Sequence, residues 1–206
     1  LDILFKKEAE MDATKSQERR GRPVTVGQRN GWWQKTWPAA LGMVVAAATA
    51  YGLTDGRAVA PVVAASGLVY LAAAATGRPR AAWVAFGVTI PLITVGKLTG
   101  LDVTPWLLAL AAVMLVVGLA RRRTRPWWAL PLQTAAMLVL GAAALIAVQL
   151  NATLGGLLVA TALLAHAAWD IHHHRTRRVV VRSLAEFCAV LDILVAVIVA
   201  VIALTS

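Results

Sequence analysis

Seven apolar runs follow one another along this chain with only a few residues between them, and that pattern constrains the fold more than any other feature. They cover 38–54, 58–76, 81–97, 104–120, 126–149, 153–171 and 183–204. A membrane-spanning helix needs about 20 predominantly apolar residues, with roughly 17 to 25 tolerated. The breaks between the runs hold Gly, Pro, Asp, Asn or clustered Arg, as in Thr54-Asp55-Gly56-Arg57 and Gly77-Arg78-Pro79-Arg80. Connections this short make neighbouring helices antiparallel. Composition agrees: 59% of residues are hydrophobic and 15% charged, against about a quarter charged in soluble domains. A soluble fold of this size could not cover so much apolar surface. The expected class is all-α, a polytopic seven-helix membrane bundle over 37–206. It is preceded by a polar basic arm, 1–36, that is disordered or lies on the membrane surface.

The distribution of charge gives the orientation. The net charge of +10 would suggest nucleic acid in a soluble protein, but here the basic residues sit between apolar runs, so no nucleic-acid partner is expected. With seven spans and a cytoplasmic amino terminus, the inner connections are 77–80, 121–125 and 172–182. Together with the arm they hold eighteen of the twenty Lys and Arg, leaving only Arg57 and Lys97 outside. That asymmetry is the positive-inside pattern, and it puts the carboxyl terminus outside. The inner basic residues are expected to meet anionic lipid headgroups. Seven of the eight tryptophans (Trp32, Trp33, Trp37, Trp83, Trp127, Trp128 and Trp169) lie near inner ends of spans and Trp106 near an outer end, the level amphipathic rings prefer.

Other features refine the reading. No secretory signal peptide is visible in the polar first thirty residues. The chain opens on Leu1; Met11 is taken as a start, and no function is placed in residues 1–10. Abundant Ala, Val, Gly and Arg suggest a high-GC bacterium, so a bacterial plasma membrane is the expected location. The single cysteine, Cys188, excludes an intrachain disulfide and reads as a small buried hydrophobe. Spans one to three and five to seven both start inside and both open with Trp, Pro, Ala and Leu, which is compatible with a three-plus-one-plus-three repeat of the kind some transporters use.

Chemistry is expected where charge falls at membrane depth. A charged side chain near the bilayer centre costs at least about 2.5–3.5 kcal/mol on insertion scales, so it faces the bundle interior and finds partners. Span six ends Leu164-Ala165-His166-Ala167-Ala168-Trp169-Asp170-Ile171-His172-His173-His174-Arg175. At helical spacing His166, Asp170, His173 and Arg177 share a stripe about 60° wide, continued outward by small residues such as Gly155 and Ala162. Span seven carries Glu186 and Asp192, with Asp192 close to its middle and on the same face as Cys188. The two spans are antiparallel neighbours, so His166 comes within reach of the level of Asp192, and Asp170 lies level with Glu186. The expected centre is His166, Asp170, Glu186 and Asp192, open to the cytoplasm. Gln133 and Tyr70 lie in the same inner half.

Three chemistries suit such a centre: proton relay, ligation of a divalent metal by His166, Asp170, His173 and Asp192, and acid–base catalysis in a membrane enzyme. Each residue also has a plainer role. His172, His173 and His174 can face headgroups beside arginine, and His166 can be a packed histidine. Asp170 can pair with Arg177 or Arg182, and Glu186 with Arg182. Asp192 has no basic residue at its own level in its own helix. Pro91 interrupts span three between Thr89 and Thr94, which marks either a substrate path or a tolerated kink. No phosphate loop, zinc-protease helix, Gly-x-Ser-x-Gly elbow or paired-Cys motif is present, and span seven has no lysine for a retinal Schiff base. Function therefore divides three ways. The first is a small transporter using the cluster for a proton or divalent cation. The second is a metal-dependent enzyme acting on a lipid-like substrate. The third is an accessory subunit of a membrane complex, joined to a membrane-protein partner or to copies of itself. The only cofactor suggested is a divalent metal.

Overall fold

The computed structural model describes residues 30–205. All seven regular elements among them are α-helices, with no strand. They are α1 (Asn30–Ala50), α2 (Ala60–Thr76), α3 (Ala81–Thr99), α4 (Thr104–Ala120), α5 (Leu130–Ala147), α6 (Ala152–Thr176) and α7 (Arg182–Thr205), with a 3-10 turn at Gly56–Val59 leading into α2. Five segments are long and apolar enough to cross a membrane: Gly56–Thr76, Ala81–Thr99, Leu130–Ala147, Ala152–Thr176 and Arg182–Thr205. Thr36–Ala50 and Thr104–Ala120 are apolar but shorter. Most of the basic arm, residues 1–29, lies outside the described residues. Residues 30–36 are helical and belong to α1.

Local signals explain the boundaries. The Asn151 side chain accepts the Leu154 N–H at 2.8 Å and starts α6, as an N-cap should. Asp55 caps the 3-10 turn through the Arg57 N–H at 2.9 Å. Its partner Arg57 holds the Asp55 carboxyl below the usual carboxylate range, chiefly through their side-chain hydrogen bonds. Gly77 ends α2 with φ 65°, and the Arg78 N–H reaches back to the Ala73 carbonyl at 3.2 Å. That is a Schellman ending, in which glycine adopts the left-handed conformation without penalty. Several ends differ from the apolar runs: α1 covers Asn30–Ala50 against an expected 38–54, and α5 and α6 differ as well. Helix α6 continues past 171 to Thr176, because His173, His174 and Arg175 form a last turn that suits the negative end of the helix dipole. Helix α5 begins at Leu130 rather than 126, because Pro126 to Ala129 form a turn and Pro131 occupies the first helical turn.

Among residues Pro38–Ser206, α2 is the central element. It packs against α3, α4, α5 and α6, and from Val63 to Ala75 nearly every residue is buried. Its sequence is mostly Ala, Val and Gly, which lets backbones approach closely where lipid offers no hydrophobic drive between helices. The most extensive pairing is α6 on α7. Small residues set the spacing there and at neighbouring contacts. A methyl on Gly156 would lie 2.7 Å from the Ala203 Cβ, and one on Gly42 would lie 2.7 Å from the Phe187 carbonyl oxygen. Trp83, Phe86 and Phe187 cluster between α3 and α7 with ring centroids 4.7–5.8 Å apart, Phe86 edge-on to both other rings and Trp83 tilted against Phe187. Lys97, on α3, donates to the carbonyls of Ala48, Thr49 and Tyr51 at 2.7–3.0 Å. It thereby satisfies the carbonyls left open at the end of α1.

These contacts predict a graded response to added volume. Gly156→Leu and Gly42→Leu should each lower unfolding stability in detergent by about 1–3 kcal/mol, the usual range for overpacking. Gly87→Leu, where a Cβ meets nothing within 4 Å, should leave it within about 0.5 kcal/mol.

Candidate functional site

The buried polar centre grows out of one face of α6. Its positions 159, 162, 163, 166, 170 and 173 are all buried, the spacing of a helix stripe turned inward. His166 and Asp170 stand one turn apart on that stripe, and α7 brings Asp192 opposite them near its own middle. His166 Nδ1 lies 2.7 Å from Asp192 Oδ2 and 3.3 Å from Asp170 Oδ2. With the carboxylates ionised, the Nδ1–H donates to Asp192 and leans toward Asp170. From α2, the Tyr70 hydroxyl donates to Asp170 Oδ1 at 2.6 Å. Three helices thus converge, and His166, Asp170, Asp192 and Tyr70 are each at most 4% exposed.

Aromatic rings close the surroundings. The Tyr70 ring meets the His166 ring edge-on at 5.3 Å and the His173 ring at 5.0 Å. The His173 Nδ1–H donates to the Trp169 carbonyl at 3.0 Å, and its ring packs 5.0 Å from the Trp169 indole. The Trp169 indole N–H donates to Gln133 Oε1 at 3.3 Å, and Gln133 donates to the Trp128 carbonyl at 3.1 Å.

The structure brings together part of the residue set expected from sequence. His166, Asp170 and Asp192 each present a ligand atom within 4.8 Å of the others. Glu186 is half-buried and is not one of the gathered groups; it sits about 120° around α7 from Asp192 at helical spacing. His173 is buried, but its Nδ1 is engaged by its own helix. Gln133 positions Trp169, and Pro91 is exposed on α3. Neither Arg177 nor Arg182 reaches Asp170, and no ion pair joins Arg182 to Glu186. Arg177 leaves the stripe because it ends α6 in the left-handed conformation, φ 55°. Tyr70 was visible in sequence only as a polar residue of the inner half. The sharper signal was a lone tyrosine in an otherwise small-residue helix, whose hydroxyl needs a buried partner.

Chemically, the centre is acid-rich. Two carboxylates face one imidazole, and no Lys or Arg is paired with either of them. Three of the four buried side-chain atoms without a hydrogen-bond partner among the described residues belong to this centre: His166 Nε2, Asp170 Oδ2 and Asp192 Oδ1. Unsatisfied buried acceptors of this kind call for an explanation, and a cation between the carboxylates supplies one. Comparison with known proteins adds no analogy, since no family model, no curated protein and no solved structure matches the chain.

Tyr70→Phe keeps the ring contacts and removes only the hydroxyl. It should lower unfolding stability in detergent by about 1 kcal/mol, the usual worth of a buried hydrogen bond in membrane proteins.

Proposed function

We propose that this chain is a small multi-pass carrier whose centre at His166, Asp170 and Asp192 takes up a divalent transition-metal cation as its cargo. The reading rests on one observation: an imidazole nitrogen and two carboxylate oxygens converge, buried, without a basic partner. Ligand atoms around a zinc-sized ion sit about 3 to 3.5 Å apart, given metal–ligand bonds of about 2.0–2.2 Å. The 3.3 Å separation of His166 Nδ1 from Asp170 falls in that span, and the 2.7 Å separation from Asp192 is the shorter length of a hydrogen bond. An imidazole with two carboxylates suits zinc or manganese better than magnesium or calcium, which prefer oxygen alone. The ligands come from α6 and α7.

In this reading all seven helices cross the bilayer of a bacterial plasma membrane, with the amino terminus cytoplasmic and the carboxyl terminus outside. The charge bias between connections supports that orientation. The shorter Thr104–Ala120 spans by local thinning of the bilayer, and Lys97 reaches toward headgroup level. The 2.7 Å contact between His166 and Asp192 favours a second reading, in which the cation is a proton shared by the pair.

One set of measurements separates these readings. Metal analysis of the purified protein after zinc loading should find about one zinc per chain. His166→Ala and Asp192→Asn should each weaken zinc binding by at least about tenfold, since even the loss of an outer-sphere contact costs about 10- to 100-fold. In liposomes the same changes should abolish zinc flux. Proton flux without zinc binding would favour the second reading. If both variants bind and transport like the wild type and only melt earlier, the centre is a helix lock and the carrier reading fails.

A further inference from the structure

The basic residues divide sharply by what they touch. Arg57 is held by Asp55 and by the Leu150 carbonyl, and Lys97 by three carbonyls. The arginines of the connections 77–80, 121–125 and 177–182 are different. Among the described residues none of them has an ion pair with a carboxylate, and none donates a side-chain hydrogen bond to the protein. One of them, Arg178, lies over the Trp128 ring at 4.9 Å.

Two of these connections line one cleft, and the third reaches its edge through Arg123. It has a volume of about 380 Å³ and is lined by Gly77, Arg78, Pro79, Arg80 and Val181, so the α2–α3 turn forms one wall and the α6–α7 connection the other. The Arg123 guanidinium lies directly over Gly77, where a side-chain methyl would meet it at 2.6 Å. The α2–α3 turn is stiff. The Arg78 N–H is bonded to Ala73, the Ala81 N–H to Arg78 and the Trp83 N–H to Arg80, while Pro79 fixes the backbone between the two arginines. Arg123 is anchored in the same manner, its N–H reaching the Gly118 carbonyl at 3.0 Å, with Arg122 left-handed at φ 53°. The carboxyl ends of α2 and α4 therefore present guanidiniums from ordered turns beside the cleft.

Guanidinium forks match the oxygens of a phosphate, and two or more on a rigid frame bind it bidentately. The surrounding helices are apolar enough to lie in lipid, so an anion reaching this cleft at headgroup level belongs to a phospholipid. We propose that the cleft is a binding site for the headgroup of an anionic phospholipid, with its phosphodiester held by Arg78 and Arg80 and flanked by Arg123. The site is independent of the metal centre. It takes one lipid in a fixed pose, in contrast to the diffuse attraction that any basic rim exerts on an anionic leaflet.

The full chain, purified in a zwitterionic detergent, is titrated with phosphatidylglycerol, with phosphatidylcholine and with inorganic phosphate, and bound lipid is counted by native mass spectrometry. Saturable retention of one phosphatidylglycerol, with no retention of phosphatidylcholine and no competition by millimolar inorganic phosphate, is the expected result. Arg78→Gln with Arg80→Gln should weaken that retention about thirtyfold, at roughly one surface-level interaction per arginine. The control pair Arg175→Gln with Arg177→Gln, which removes the same charge from the same rim outside the cleft, should change it less than about fivefold. Equal losses in the two variants would overturn the proposal in favour of diffuse charge. Efficient competition by phosphate would overturn it in favour of a free-anion site. If the variant at Arg78 and Arg80 does not fold, the wild-type selectivity between the two lipids decides: equal retention of both overturns the site.

Discussion

Two carboxylates buried beside one imidazole impose the condition that the rest of this bundle meets. Neither acid tolerates lipid, and neither has a basic side chain to pair with. Each must therefore find polar company from another helix, which ties α6 to α7 through His166 and Asp192 and α2 to α6 through Tyr70 and Asp170. Hydrogen bonds between membrane helices are individually modest. Their specificity is the larger effect, because sliding α7 along α6 by one turn would strand Asp192 among apolar side chains.

That registry is attainable because small residues bring the backbones together. Gly156 lies against Ala203, Gly56 against Gly156 and Val199, and Gly67 against Met137. The alanine-rich α2 lets neighbouring helices close around it, and Tyr70 is the one large polar side chain it sends inward. The same closeness excludes lipid and water from the centre, and the low dielectric strengthens every interaction made there. In the proposed carrier, this dry, preformed set of groups is what would hold the cation. The α6–α7 pair provides the ligands, with two residues from α6 and one from α7.

Much of this was legible from residue order because the controlling rules are local. Seven apolar runs, their Gly, Pro and Arg breaks, and caps such as Asn151 and Gly77 specify helices without reference to tertiary structure. The stripe of His166, Asp170 and His173 follows from helical spacing, and the meeting with Asp192 follows from an antiparallel hairpin whose turn is short. What was not legible depends on rotation about helix axes. Glu186 lies on the same helix as Asp192 and level with Asp170, yet its direction around α7 keeps it out of the gathered set. Tyr70 sits a hundred residues from Asp170, and nothing in α2 alone says which neighbour its hydroxyl meets. Asp170 finds His166 one turn back and the distant Tyr70 rather than Arg177, because α6 ends in a left-handed turn at Arg177 that carries the guanidinium off the stripe.

The account stands on direct coupling between His166 and Asp192 within the bilayer. A double-mutant cycle of His166→Ala and Asp192→Ala, read as unfolding free energy in detergent or bicelles, measures it without assuming any activity. A favourable coupling above about 1 kcal/mol is predicted, at the upper end of interhelical hydrogen bonds in membrane proteins. Additive effects, with coupling near zero, would mean that the two side chains do not share a site, and the centre described above would not exist.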